Sequence, residues 1–248
     1  MMKASLKALL CAVAMTGFFR VEAQQNRFLG ISAGVAPLQI KDQFHSPYTY
    51  RGTGLNLQAT FGQERTKTQW QLDAGYTQAN PQSVVSRKAS TRLFDLILNY
   101  HWRLFPASQP ENRLQYFGGV GLRLFGNATN YSPDSEVATV QATAAISLGA
   151  SARVSYRLNP VHRLQIQAFA SVVSVVYRPD YDYNGKEHLA ASWLGKSPIL
   201  ALEASYQYRF SKKYQATCRY QMNYFRYDQP RSVLWLGQSV SMGIQRSF

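Results

Sequence analysis

Hydrophobic and polar residues alternate with a period of two over most of the chain from Arg27 onward, and helical spacing is almost absent. A period of two predicts β-strands whose two faces meet different surroundings. The segment at residues 198–210 shows the pattern clearly. One face carries Leu200, Leu202, Ala204, Tyr206, Tyr208 and Phe210, and the other carries Glu203, Ser205, Gln207 and Arg209.

Ten segments of this kind follow one another along the chain. A tilted strand needs about 9 to 11 residues to cross a bilayer, whereas strands of soluble sandwiches usually have about 5 or 6. Each segment is therefore long enough to cross. They are predicted at residues 27–36, 51–62, 68–78, 91–104, 113–126, 140–158, 161–177, 198–210, 213–227 and 233–248.

The connections between these segments alternate in length. The short ones lie at 63–67, 105–112, 159–160 and 211–212, and the long ones lie at 37–50, 79–90, 127–139 and 178–197, with a brief fifth connection at 228–232 on the long side. Outer-membrane barrels have short periplasmic turns and longer extracellular loops. An even strand number then places both termini in the periplasm and the long loops outside.

The predicted fold class is all-β, a closed antiparallel transmembrane β-barrel of about ten strands. An eight-stranded barrel is the alternative, because segments 27–36 and 51–62 contain glycine and are less regular. Outward aromatic residues near both strand ends, such as Trp102 and Tyr208 at one end and Tyr76 and Trp235 at the other, are typical of the two interfacial girdles of such barrels.

The first 23 residues have the pattern of a secretory signal peptide. Lys3 and Lys7 precede an apolar run from Ala8 to Phe19, and Val21-Glu22-Ala23 has the spacing of a cleavage site. The run is shorter than the roughly 20 residues that a spanning helix needs. We expect residues 1–23 to be a signal peptide and residues 24–248 to form the outer-membrane barrel domain.

The chain is strongly basic, with 27 Lys and Arg against 13 Asp and Glu, a net charge of +14 and a pI near 9.9. Such a balance can indicate nucleic acid binding. Export and the absence of a Lys/Arg block argue against nucleic acid here, so lipid head groups and the phosphates of lipopolysaccharide are the expected counter-charges. With Cys218 as the single cysteine after residue 23, no internal disulfide or thiolate metal cluster is expected, and no cofactor is predicted.

The last strand ends in an alternating apolar face formed by Val240, Met242, Ile244 and Phe248. In this it resembles Gram-negative outer-membrane β-barrels, many of which end in a strand with a terminal phenylalanine. The resemblance covers residues 27–248 and implies that the barrel-assembly machinery binds this strand as an assembly signal. In size and layout the chain is also similar to the secretion-associated barrels of the PorT type.

If the apolar face meets lipid, the polar face supplies a charged lumen. A ten-stranded barrel is narrow enough for side chains to fill, so a plugged core of salt bridges is the main expectation. A narrow channel that prefers anions is the alternative, because arginines outnumber acids. The predicted lumen charge network comprises Asp73, Asp95, His101, Arg123, Arg153, Arg157, Arg163, Glu203, Arg209 and Arg219.

Catalytic and metal-binding motifs are incomplete in this chain. Omptin-like proteases use paired aspartates and an Asp-x-His at the outer rim, and this chain has no Asp-x-His. Asp180, Asp182 and Asn184 match the start of a calcium loop, but Ala191 occupies position twelve, where the bidentate glutamate belongs. An ordinary turn at Asn184-Gly185 explains the same residues.

The sequence therefore predicts a non-catalytic outer-membrane barrel with a plugged polar lumen, acting as a structural, surface-binding or accessory subunit of an assembly or secretion machine. Protein subunits would contact the loops at 37–50, 79–90, 127–139 and 178–197. An anion-preferring channel is the first alternative and an outer-membrane hydrolase is the second.

Overall fold

The computed structural model describes residues 26–43, 46–105, 113–131, 140–179, 188–228 and 232–248. The predicted signal peptide lies outside these residues. No helix in the described part of the chain is long and apolar enough to cross a bilayer. The described strands are β1 (Asn26–Asp42), β2 (Thr49–Glu64), β3 (Thr68–Ala79), β4 (Gln82–Ser83), β5 (Ala89–Arg103), β6 (Leu114–Tyr131), β7 (Val140–Arg157), β8 (His162–Arg178), β9 (His188–Trp193), β10 (Ile199–Arg209), β11 (Tyr214–Tyr227) and β12 (Val233–Ser247).

Ten of these strands form one closed antiparallel ring. Each strand pairs with its neighbours in the order β1, β2, β3, β5, β6, β7, β8, β10, β11 and β12, and β12 pairs back onto β1. Phe28 lies opposite Ser247 in this closing pair. The ten-stranded barrel is therefore confirmed, and the eight-stranded alternative is wrong because β1 and β2 both belong to the ring.

Two short strands lie outside the ring. β4 pairs with the start of β2, and β9 pairs with the end of β8, where Val173 faces Trp193 and Arg178 faces His188. β10 then pairs with the rest of β8 after a turn at residues 194–198. β9 and β10 thus follow the same edge of β8, as one strand interrupted by a turn.

The two ends of the barrel differ in the way the strands are joined. At the turn end, residues 65–67, 104–113, 158–161 and 210–213 join the strands, and both Asn26 and Ser247 lie there. At the loop end, the connections are residues 43–48, 80–88, 132–139, 179–198 with β9 inside it, and 228–232. The predicted alternation holds for three of the four turn-end connections, which have three or four residues, whereas connection 104–113 has ten and is longer than most loop-end connections.

Several predicted loop bounds are wrong because strands continue into them. β1 extends to Asp42, so only residues 43–48 of the predicted loop 37–50 separate it from β2. Pro37 pairs with Thr53 of β2 but lies where the pairing with β12 lapses, so its missing N–H costs no bond. β6 extends to Tyr131, inside the predicted loop 127–139, and loops 79–90 and 178–197 contain β4 and β9.

Side chains alternate between the outer surface and the interior along each strand. On β12, Val240, Met242 and Ile244 are exposed on the outer surface, whereas Ser239, Ser241 and Gln245 are buried. A β-bulge in β8 shifts this alternation, because Leu148 pairs with Val173 and Gly149 pairs with Ser171, which leaves Val172 as the extra residue. A Cβ at Gly149 would lie 2.2 Å from the carbonyl oxygen of Ala170, so the bulge requires glycine there.

Candidate functional site

The lumen is the candidate site, because it contains most of the buried charged side chains of the barrel. Its side chains are arranged in layers from the loop end to the turn end. Each layer joins strands that are not neighbours in the ring, so the layers together decide whether anything can pass through the barrel.

One layer near the loop end is apolar, although the lumen was predicted to be polar. Aromatic rings fill its centre: Phe125 of β6 packs against Phe225 of β11 and Trp235 of β12, with ring centroids 5.3 and 5.1 Å apart. We call this buried cluster the apolar layer. Its members are Leu38, Ile40, Ala79, Leu93, Phe125, Ala145, Val176, Ile199, Phe225, Tyr227, Val233 and Trp235.

A buried ion pair lies on the loop side of the apolar layer. Arg178 donates from Nη2 to Asp42 at 2.9 Å, and both side chains are almost fully buried. Gln141 also donates to Asp42 and accepts a hydrogen bond from the hydroxyl of Tyr131 at 3.2 Å. β1, β6, β7 and β8 are thereby joined across the loop end.

The next layer contains the pair of Asp95 and Arg123. Arg123 donates from Nε and Nη2 to the two carboxylate oxygens of Asp95, at 2.8 and 2.7 Å. Its Nη2 also donates to Asn223 Oδ1 at 2.9 Å, so the guanidinium joins β5 and β6 to β11 on the opposite wall. A bidentate pair of this kind is geometrically specific and holds the side chains in fixed positions.

Arg219 forms the central layer with the two remaining predicted acids. Its Nη1 lies 3.3 Å from Asp73 Oδ1 and its Nε lies 3.4 Å from Glu203 Oε1. Thr60 and Gln71 also donate to Asp73, at 2.8 and 2.7 Å. An internal void of about 20 Å³ beside Asp73 and Glu203 has room for roughly one water molecule.

Toward the turn end, Arg153 and His101 occupy separate polar contacts. The guanidinium of Arg153 is buried and donates to Gln69 at 3.1 Å, to Gln71, and from Nε to Gln167 at 2.9 Å. His101 Nε2 lies 2.8 Å from the hydroxyl of Ser151. Asp95, which shares a strand with His101, is bonded to Arg123 instead.

The last layer lies at the turn end, in the mouth of the barrel. Arg163 donates from Nη1 to both oxygens of Glu64 at 2.9 Å and from Nε to Ser155 at 2.7 Å. Arg157 and Arg209 were predicted inside the lumen, but both are exposed at this rim, because they stand at the last residues of β7 and β10. They belong to the mouth and not to the enclosed network.

The predicted acids of the lumen each lie beside a guanidinium, but two further ion pairs were not predicted from the sequence. Asp42 and Glu64 were placed in connections, and each pairs with an arginine on another strand. Trp235, predicted on the outer girdle, lies in the apolar layer. Consecutive apolar residues at a strand end, as in Leu234-Trp235-Leu236, make both faces of the strand apolar. This pattern is the sequence signal that indicates an apolar layer inside the barrel.

Two other predicted sites have different outcomes. The calcium candidate of Asp180, Asp182 and Asn184 lies outside the described residues. The strand proposed as an assembly signal presents Val240, Met242, Ile244 and Phe248 to the outside, with Met242 70% exposed. Among the described residues, no group of three or more His, Cys, Asp or Glu side chains is arranged to hold a metal ion.

Comparisons with known proteins identify the fold. No protein-family model matches the chain, and no curated protein matches its sequence. The outer membrane protease OmpT from Escherichia coli superimposes with a TM-score of 0.60 at 10% identity, over 94% of this chain and 100% of that one. The translocator domain of the autotransporter NalP from Neisseria meningitidis gives 0.51 at 10% identity, over 99% and 96%.

The likeness to these solved structures establishes a fold shared with small Gram-negative outer-membrane β-barrels. It supports the predicted location in the outer membrane. Because one of these barrels is a protease and the other a translocator domain, the fold is compatible with different activities.

Proposed function

We propose that the protein is a non-conducting, non-catalytic barrel of the outer membrane that serves as a structural or accessory subunit of a larger assembly. The observation that carries this proposal is the layered lumen. The apolar layer follows the Asp42–Arg178 pair, and three guanidinium layers follow the apolar layer. An ion would have to displace rings and break buried ion pairs to pass.

The apolar layer is the stronger obstacle of the two. Hydrophobic constrictions exclude ions by excluding water, even where a small opening remains. The salt-bridged layers add rigidity, because each guanidinium contacts side chains of strands that are not neighbours in the ring. The outer surface provides lipid contacts through exposed residues such as Ile31, Ile166 and Met242.

Recordings from planar bilayers test the closed lumen. We expect the purified, refolded protein to give no steady ion current above the leakage of the bare membrane. A stable current with a preference for anions would contradict the proposal and favour the channel alternative. Incubation of the same preparation with lipopolysaccharide and with peptides tests the hydrolase alternative, for which cleavage products are the expected sign.

Purification from native membranes in mild detergent tests the accessory role. We expect other subunits to remain bound and to elute with the barrel. A barrel that elutes alone after chemical crosslinking in the intact membrane would contradict an accessory role. The lumen result and the partner result are independent, so each part of the proposal can fail separately.

A further inference from the structure

The turn end of the barrel concentrates positive charge that the lumen network does not neutralise. Every hairpin at this end brings cations to the rim, among them Arg65, Arg113 and Lys213. Within the described residues of this end, Glu64 is the single acidic side chain. Much of the positive charge excess of the chain therefore lies at this rim.

Three of these cations lie side by side along one part of the wall with Arg163, which the lumen network pairs with Glu64. Arg157 N–H donates to the carbonyl of Arg113 at 2.7 Å, and Arg157 and Arg163 are direct cross-strand partners. Arg209 N–H donates to the carbonyl of Val161, two residues before Arg163, at 2.8 Å. We call Arg113, Arg157, Arg163 and Arg209 the mouth arc.

Three arginines of the mouth arc, Arg157, Arg163 and Arg209, occupy lumen-facing positions of their strands. Arg157 continues the buried series of Ser151, Arg153 and Ser155 on β7, and Arg163 precedes the buried Gln165 on β8. The alternate residues beside them, Tyr156 and Leu164, are exposed on the outer surface, where lipid lies. The mouth arc therefore opens toward the aqueous mouth of the barrel and not toward the bilayer.

The charges of the mouth arc repel one another. Like charges directly opposite on neighbouring strands are destabilising, and Arg157 and Arg163 are such a pair. Glu64 contacts Arg163 from the opposite wall, but no described carboxylate lies within salt-bridge distance of Arg157 or Arg209. An external anion at this place would bind and relieve the repulsion.

We propose that the mouth arc binds an acidic, extended segment of a protein on the turn side of the membrane. Neighbouring strands are about 4.8 Å apart, so an arc over four strands spans about 14 Å, the length of roughly four extended residues. Two or three carboxylates on such a segment could each meet a guanidinium with paired hydrogen bonds. The inference deepens the proposed accessory role and rests on it, because it names the chemistry of the partner.

Binding of a labelled acidic peptide to the full barrel in zwitterionic nanodiscs tests this. The probe is fluorescein-labelled Asp-Gly-Asp-Gly-Asp, with the Asn-Gly-Asn-Gly-Asn peptide as its neutral control, and anisotropy at low salt is the readout. We expect the double substitution Arg157→Gln and Arg209→Gln to weaken binding about tenfold. The matched variant, Arg51→Gln with Lys196→Gln, removes two exposed cations at the loop end and should change affinity less than twofold.

Any of four results would overturn the proposal. Acidic and neutral peptides could bind equally, or both double variants could bind as the native chain does. In nanodiscs that contain phosphatidylglycerol, peptide binding could be lost while the native chain binds this lipid more tightly than the Arg157→Gln and Arg209→Gln variant does. The mouth arc would then be a binding site for lipid head groups. Absent peptide binding in a barrel that conducts no current refutes this inference and leaves the closed-lumen proposal standing.

Discussion

The pair of Asp95 and Arg123 gives a stringent test of a dry, filled lumen. Substituting Asp95→Asn keeps the shape of the side chain and removes its charge. Arg123 is 1% exposed and directs both Nε and Nη2 to the carboxylate. The substitution therefore leaves a guanidinium buried in the barrel without its counter-charge.

The expected loss of unfolding free energy depends on the hydrogen bonds that Arg123 retains in the variant. Removing one partner of a buried ion pair costs about 3–5 kcal/mol, because the remaining charge stays buried and uncompensated. Asp95 is 21% exposed, and Arg123 retains Asn223 at 2.9 Å and the Leu200 carbonyl at 3.4 Å. We therefore expect the lower end of this range, about 3 kcal/mol in the free energy of unfolding.

Reversible urea unfolding in lipid vesicles, followed by tryptophan fluorescence, measures this loss. The matched control is Asp228→Asn, which breaks the Arg226–Asp228 pair of 2.9 Å at the loop end. The side chains of Arg226 and Asp228 are 51% and 43% exposed, and exposed ion pairs contribute about 0–1 kcal/mol to stability. The two substitutions are chemically identical, so their difference isolates burial.

Equal losses below about 1 kcal/mol for Asp95→Asn and Asp228→Asn would refute a dry lumen. Water would then be screening Arg123, which a plugged barrel does not allow. The double variant Asp95→Leu with Arg123→Met supplies a second check. Because an apolar pair of similar volume often replaces a buried ion pair without loss, we expect it to be more stable than Asp95→Asn alone.

Three further predictions concern the two faces of the barrel and its bulge. Leu202→Arg, at mid-strand on the outer surface, should lower the free energy of unfolding by about 2–4 kcal/mol in the same assay, whereas Leu158→Arg at the turn end should lower it by about 0–1 kcal/mol. Equal losses would mean that the outer face does not meet lipid. Gly149→Ala should destabilise by roughly 1–3 kcal/mol because its Cβ would overlap the Ala170 carbonyl, whereas Gly126→Ala, with no atom within 4 Å of a Cβ, should be neutral or slightly stabilising. In variants with a single tryptophan, brominated lipid should quench the exposed Trp102 strongly and the enclosed Trp235 weakly, and equal quenching would contradict the inward position of Trp235.

The strand number was predictable from sequence because a closed barrel in lipid imposes a period of two on every strand. Strand ends were less predictable. Pro37 normally marks the end of a strand, yet β1 continues to Asp42 because the proline lies at a lapse in the ladder with β12. β9 was missed because six residues within a connection carry too short an alternation to distinguish from a loop.

The acids of the lumen were predictable, but several of their partners and their layering were not. Alternation assigns Asp73, Asp95 and Glu203 to the inner face, since an unpaired charge on the lipid face is costly. Which arginine meets which acid depends on contacts across the barrel: Glu64 and Arg163 are separated by 99 residues. The register of ten strands fixes such pairs, and no local pattern encodes it.

The two ends of the lumen differ in a way that constrains any function inside it. At the loop end, the Asp42–Arg178 pair and the apolar layer block the interior from that side. At the turn end, the mouth is polar and positively charged, with Arg157 and Arg209 exposed. A charged ligand could therefore approach the lumen from the turn end but would meet Arg153, then Arg219 and then Arg123 before reaching the apolar layer. The exposed positive charge of the lumen therefore lies at the turn end, so an anionic partner would bind at that end without crossing the barrel.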